Sequence, residues 1–138
     1  MAESSKYHLA AVAAAEIQVP FTLTIIHGTD PSRRSIPIKT KTRSLNLMGL
    51  VFESPAMEHE GFHLSFTDTT YGRNSLEMVL DLGKKFQRVE IMGQVEWYER
   101  RSTAAGHCFI VGVGFIDVPA DALQTLREYI QQAHILAR

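Results

Sequence analysis

"VEIMGQVEWYERRSTAAGHCFIVGVGFIDVPADALQTLREYI", residues 89–130, decides the fold. It reads as two strands and a helix. "RVEIMGQVEWYERR" and "HCFIVGVGFIDV" are rich in β-branched and aromatic residues. The second alternates Val111, Val113 and Phe115 with Gly112 and Gly114, so one face carries side chains and the other almost none. A bare face invites close packing, by the C-terminal helix or by a ligand, and the helix is the favoured reading. Trp97 is expected in the core and Tyr98 at the rim; the alternative is an exposed aromatic for stacking or a partner. From Pro119 the period changes to 3.6: Leu123, Leu126, Ile130 and Ala133 form one stripe. Pro119 suits the first helical turn, with Asp117 or Val118 as the cap. If that stripe is buried, Ile130→Ala should cost about 2–5 kcal/mol.

Working toward the N-terminus, further strands appear. "SLEMVLDLG" alternates Leu76, Met78, Leu80 and Leu82, and "GFHLSFT" alternates Phe62, Leu64 and Phe66. "GLVFES" is a strand or the continuation of one. "IPIKTKTRSL" sets Ile36, Ile38, Thr40 and Thr42 on one face and Lys39, Lys41 and Arg43 on the other. "TDPSRRS" is a loop, and "FTLTIIHG" is a strand that stops at Gly28. Residues 1–18 read as a separate, partly helical segment, because "LAAVAAA" is Ala-rich and Pro20 then turns the chain to extended form. Six or seven antiparallel strands and a terminal helix imply a mainly β protein, a small barrel or sandwich over residues 19–118 with a helix at 119–135.

Composition narrows the function. The chain has 138 residues, 45% hydrophobic, enough for one domain with a real core. A formal net charge of -1 gives no bulk attraction to DNA, RNA or anionic membrane. No apolar run has the length of a membrane span. Glu3 beside the single Lys6 and the short "LAAVAAA" argue against a signal peptide. One cysteine, Cys108, excludes an internal disulfide and suits the cytoplasm; it reads as a buried structural thiol. "HEGFH", His59 to His63, matches a zinc-peptidase motif literally, but Gly61 and strand alternation oppose the helix that motif needs. On one strand the two histidines would share a face about 13 Å apart, too far for one metal. No acid–base or nucleophile constellation converges, so an enzyme is not expected.

The C-terminal stretch resembles a PilZ domain. There, Gly93, Val95 and Trp97 match a strand ending G-x-V-x-W, Val111 to Phe115 match its V-G-V-x-F partner, and a helix follows. "VPFTLTIIHG", "IPIKTKTRSLNLMGLVFES" and "SLEMVLDLG" fall where the family's other strands would, so the likeness covers most of residues 19–130. It implies a PilZ-like barrel over residues 19–138 with its C-terminal helix. It further implies cyclic di-GMP as ligand, no cofactor or metal, and a role in bacterial signalling. The family binds its ligand with an Arg-x-x-x-Arg segment before the first strand and an Asp/Asn-x-Ser-x-x-Gly turn after the second. Arginine suits both phosphate and the guanine edge. Here "AAVAAAEIQVPF" contains no basic residue, and the turn reads Ser44-Leu45-Asn46-Leu47-Met48-Gly49, with its polar positions exchanged. Gly49 is expected to hold a backbone conformation that other residues resist. The candidate ligand residues are Arg33, Arg34, Arg43, Ser44, Asn46 and Gly49. Lys39, Lys41 and Arg43 read more simply as a solvated strand face. Two functions follow: a receptor that binds cyclic di-GMP weakly or has lost it, or a nucleotide-independent adaptor acting through a protein partner or as a homodimer.

Overall fold

The structure, a computed structural model, describes residues 16–67 and 72–136. The expected N-terminal helix lies in residues 1–15, outside the described residues. Strands β1 (Pro20–Ile26), β2 (Ile38–Leu45), β3 (Gly49–Ser54), β6 (Ser75–Leu80), β7 (Val89–Thr103) and β8 (Gly106–Ile116) close an antiparallel barrel in the order β1-β2-β3-β8-β7-β6. Pairing of β1 with β6, from Phe21↔Leu80 to Ile26↔Ser75, shuts the ring. Helix α1 (Ala120–Leu136) follows β8 and packs against β7. The protein is therefore mainly β, a small barrel with a C-terminal helix. Among the described residues, no helix is long and apolar enough to cross a membrane.

Period-two alternation builds the core. Phe21, Leu23 and Ile25 from β1, Leu76, Met78 and Leu80 from β6, and Val111 and Val113 from β8 are all buried, and they meet Leu50 and Phe52 from β3. Phe21 and Phe52 pack edge to face at 5.5 Å. Closure leaves the barrel sheet with few open edges, and the edge of an open sheet of this composition would be exposed to association.

Two bulges break the alternation. In β2, Thr42 opposes Phe52 but Ser44 opposes Val51, so Arg43 is the extra residue. Leu45 then turns inward, and Arg43 and Ser44 both face out. In β7, Val95 opposes Val113 but Trp97 opposes Gly112, so Glu96 is the extra residue. Trp97 is thereby moved from the inner face to the outer one, and the expectation of a core tryptophan is corrected. A side chain at Gly112 would collide with the indole, its β-carbon lying 2.1 Å from Trp97 Nε1. At Gly114 it would meet the carboxylate of Glu96. The bare face of β8 is thus covered by two side chains of β7 and not by the helix.

Three boundaries also differ from the sequence reading. Ile36 precedes β2 and is largely exposed, because the strand begins at Ile38. Pro119 sits just outside α1, where its carbonyl accepts the Leu123 N–H at 2.9 Å, so Asp117 and Val118 are too early to cap. "HEGFH" is a tight ribbon of β4 (Glu58–His59) and β5 (Phe62–His63), with positive φ at Glu60 and Gly61 as a primed turn requires. Glu58 pairs with His63 and His59 with Phe62, so the two histidines occupy opposite faces of the ribbon. Among the described residues no three metal-binding side chains gather.

After His63 the strand stops because side chains take over the backbone. His63 Nδ1 accepts N–H bonds from Ser65 at 3.0 Å and Phe66 at 3.1 Å. The buried Asn74 amide donates to the carbonyls of His63 and Phe66. Burial holds the His63 imidazole below its ordinary 6.5, against a smaller upward pull from Glu58. Protonation at Nδ1 would point a third N–H at two donors. With the folded value lowered, the stabilisation is complete above pH 6.5 and is lost as pH falls from there through the folded value. His63→Asn supplies an acceptor that cannot be protonated. Denaturant melts of both proteins should show the wild type losing stability relative to this variant on acidification; parallel curves would contradict it.

Candidate functional site

Four outward positions form one row across the barrel: Ser44 on β2, Val51 on β3, Gly112 on β8 and Trp97 on β7. Both bulges are needed to align them. Above this row stand Arg43, Ile110 and Arg101. With Glu16 from the chain entering β1, they line a groove of about 130 Å³. The indole forms its aromatic floor by lying on Gly112, the only kind of residue that leaves it room.

The entering chain is fixed beside the groove by Thr42. Its hydroxyl donates to the Ile17 carbonyl at 2.5 Å and accepts the Val19 N–H at 2.8 Å. Ile17 and Val19 are buried, which leaves Glu16 at the groove. The charges there are partly satisfied within the chain. Arg43 meets Glu53 at 3.3 Å, and Arg101 meets Glu99 at 3.4 Å. All four side chains are partly exposed, so these pairs contribute little to stability but do reduce the positive potential.

Beside Trp97, Glu96 lies over Gly114. Burial pushes its carboxyl above the ordinary 4.5, while the Arg73 charge pulls it back. Arg73 itself donates from Nη2 to the Val95 carbonyl at the bulge.

The six candidate residues do not form one cluster. Arg43 and Ser44 line the groove. Asn46 is occupied by its own turn: Oδ1 accepts the N–H of Met48 at 2.7 Å and of Gly49 at 2.8 Å, and its N–H donates to the Gly49 carbonyl. Gly49 has no positive φ; its role is to let β3 pass close to β8, so the conformational reading is replaced by a steric one. Arg33 and Arg34 lie at the opposite end of the barrel. Arg34 bridges to Ile26 at the far end of β1 and meets Glu77 at 2.8 Å, and Arg33 reaches His27. The seven residues from Pro20 to Ile26 separate them from the groove by about 20 Å.

Arg101, Val51, Ile110 and Glu16 belong to the groove without any signal in the sequence, and Trp97 belongs to it in line with the alternative reading of an exposed aromatic. Cys108 is half-buried, not buried, and sits opposite Arg101 on the same outer side.

Comparison with known family models, with curated proteins and with solved structures found no match.

Proposed function

We propose that this chain is a non-enzymatic, cytoplasmic regulatory domain of the PilZ type, in which cyclic di-GMP binds weakly or not at all and signalling proceeds through protein contacts. One observation carries this reading: the groove on the β2-β3-β8-β7 face has an aromatic floor and a serine, but its two arginines face carboxylates of their own chain. Glu16 adds a negative charge where the ligand's phosphates would approach. The volume of about 130 Å³ is also well below the roughly 300–1,000 Å³ usual for a ligand of this size. Tyr98 and Phe66, both exposed beside His63, favour the adaptor form of the proposal, because exposed aromatics are enriched where proteins meet.

Titration calorimetry with cyclic di-GMP tests it. The expected Kd is above about 10 μM, or no heat at all. Any heat that appears should disappear in Trp97→Ala and Arg43→Ala and persist in Arg33→Ala/Arg34→Ala. Submicromolar binding would overturn the weak-binding proposal.

A further inference from the structure

The inward face of the β7-β8 hairpin runs on beyond the barrel core. Pairing of the two strands continues past Val95↔Val113 to Thr103↔Gly106. Val111 is fully buried, but Phe109, two residues earlier on the same face, is half-buried, and Arg100, directly opposite Phe109, is exposed. Rings collect where this face emerges. Phe66 lies 5.4 Å from His63, His63 lies 6.4 Å from Tyr98, Tyr98 lies 6.3 Å from Phe109, and Phe109 lies 5.6 Å from His107. Phe66 is 50% exposed and Tyr98 42%, so much of each faces solvent instead of sealing the barrel mouth.

We propose that this row of rings is a docking shelf for a protein segment that carries an acidic residue close to an apolar one. The inference rests on the adaptor form of the function proposed above. Charge selects the occupant. Arg100 stands at the hairpin end of the row, on the same face as Tyr98 and about 7 Å from it along β7. Among the described residues it meets no carboxylate. Glu99 and Arg101, its neighbours in sequence, lie on the other face and meet each other. Glu58 pairs across the ribbon with His63 and puts a negative charge at the opposite end of the row. A partner's acid therefore docks at Arg100, and its apolar side chain lies on Tyr98 and Phe66. Aromatic residues and arginine are the side chains enriched at the centres of protein interfaces. Arg100 at the end of a ring row suits a peptide better than a nucleic-acid strand, whose phosphates call for a continuous positive track.

Display selection on the full chain, with randomised dodecapeptides as the probe, tests the proposal. The wild type should retain peptides in which Asp or Glu lies a few residues from Leu, Ile, Val or Phe. Fluorescence anisotropy of one such peptide should show binding weakened about tenfold or more by Tyr98→Ser and by Arg100→Glu, and unchanged by Arg43→Ala in the groove. Replacing the peptide's acid with lysine should restore binding to the Arg100→Glu variant. Tyr98 and Arg100 are exposed, and thermal melts establish that each variant is folded. No enrichment over the Arg100→Glu variant, selected peptides that are basic, equal binding to both variants, or tighter binding of oligo(dT) than of any selected peptide would each overturn the shelf. Calorimetry with cyclic di-GMP keeps the two proposals apart. Submicromolar nucleotide binding overturns the weak-binding proposal whatever the selection yields, and an empty selection beside weak nucleotide binding overturns the shelf alone.

Discussion

Gly49→Val is expected to destabilise the barrel by about 3 kcal/mol or more, whether or not any ligand binds. Gly49 opens β3 directly opposite Gly114 of β8. A β-carbon there would lie 2.1 Å from the Val113 carbonyl oxygen and 3.2 Å from its carbon. Both are backbone atoms of the strand that β3 must pair with, so no rotamer change can relieve the clash. Phe115 donates its N–H to the Met48 carbonyl immediately before, which holds the two strands together at that point. The obstacle is already present with one methyl group, so Gly49→Ala should show most of the loss. Gly106 is the contrast. It has φ 131° and open space around the position of its β-carbon, so Gly106→Ala should cost only the backbone term, about 1 kcal/mol. Denaturant unfolding of the three variants separates the two causes. A loss at Gly49→Val below about 1 kcal/mol would show that β8 can move aside.

The same residue shows how far the sequence could be read. A polar turn ending in glycine and followed by "LVF" marks the start of a strand, and that much was legible. Which property of glycine mattered was not, because the approach of β8 is a long-range fact of the barrel. The strands themselves were legible for a similar local reason: Phe21, Leu23 and Ile25, or Leu76, Met78 and Leu80, alternate without interruption and are buried as alternation requires. The errors gather where one residue shifts the count. The bulges at Arg43 and Glu96 carry no glycine or proline to announce them, yet each reverses the faces of everything beyond it. The bulge at Glu96 turns Trp97 outward against the expectation of a core residue, and the groove escapes a reading of the sequence for the same reason. The groove also draws on four strands and the chain before β1, a juxtaposition created by barrel order together with the two bulges. Arg33 and Arg34 failed in the opposite way: near Arg43 in sequence, they are separated from it by the length of the barrel.

Leu126→Ala should cost about 2–5 kcal/mol, the range for truncating a fully buried leucine. Leu126 is 0% exposed and is the single fully buried side chain of α1 among the described residues. Ala122, Tyr129, Ile130 and Ala133 are only partly buried around it. Of the stripe read from the sequence, Leu126, Ile130 and Ala133 pack on the barrel, whereas Ala122 and Tyr129 take part in place of Leu123, and the anchor is Leu126 and not Ile130. Tyr129 adds an edge-to-face contact with Phe86 at 5.4 Å, outside the barrel strands, so the helix is held by one deep residue and a shallow rim. Helices in proteins take most of their stability from docking an apolar face, and so does this helix of 17 residues. Ile130→Ala should then cost less than Leu126→Ala, and Ile135→Ala, at a position 69% exposed, should stay within about 0.5 kcal/mol of the wild type. Denaturant unfolding followed by far-ultraviolet circular dichroism checks this order. Equal losses at all three positions would mean that the helix docks diffusely. A negligible loss at Leu126 would mean that the barrel does not depend on the helix it carries.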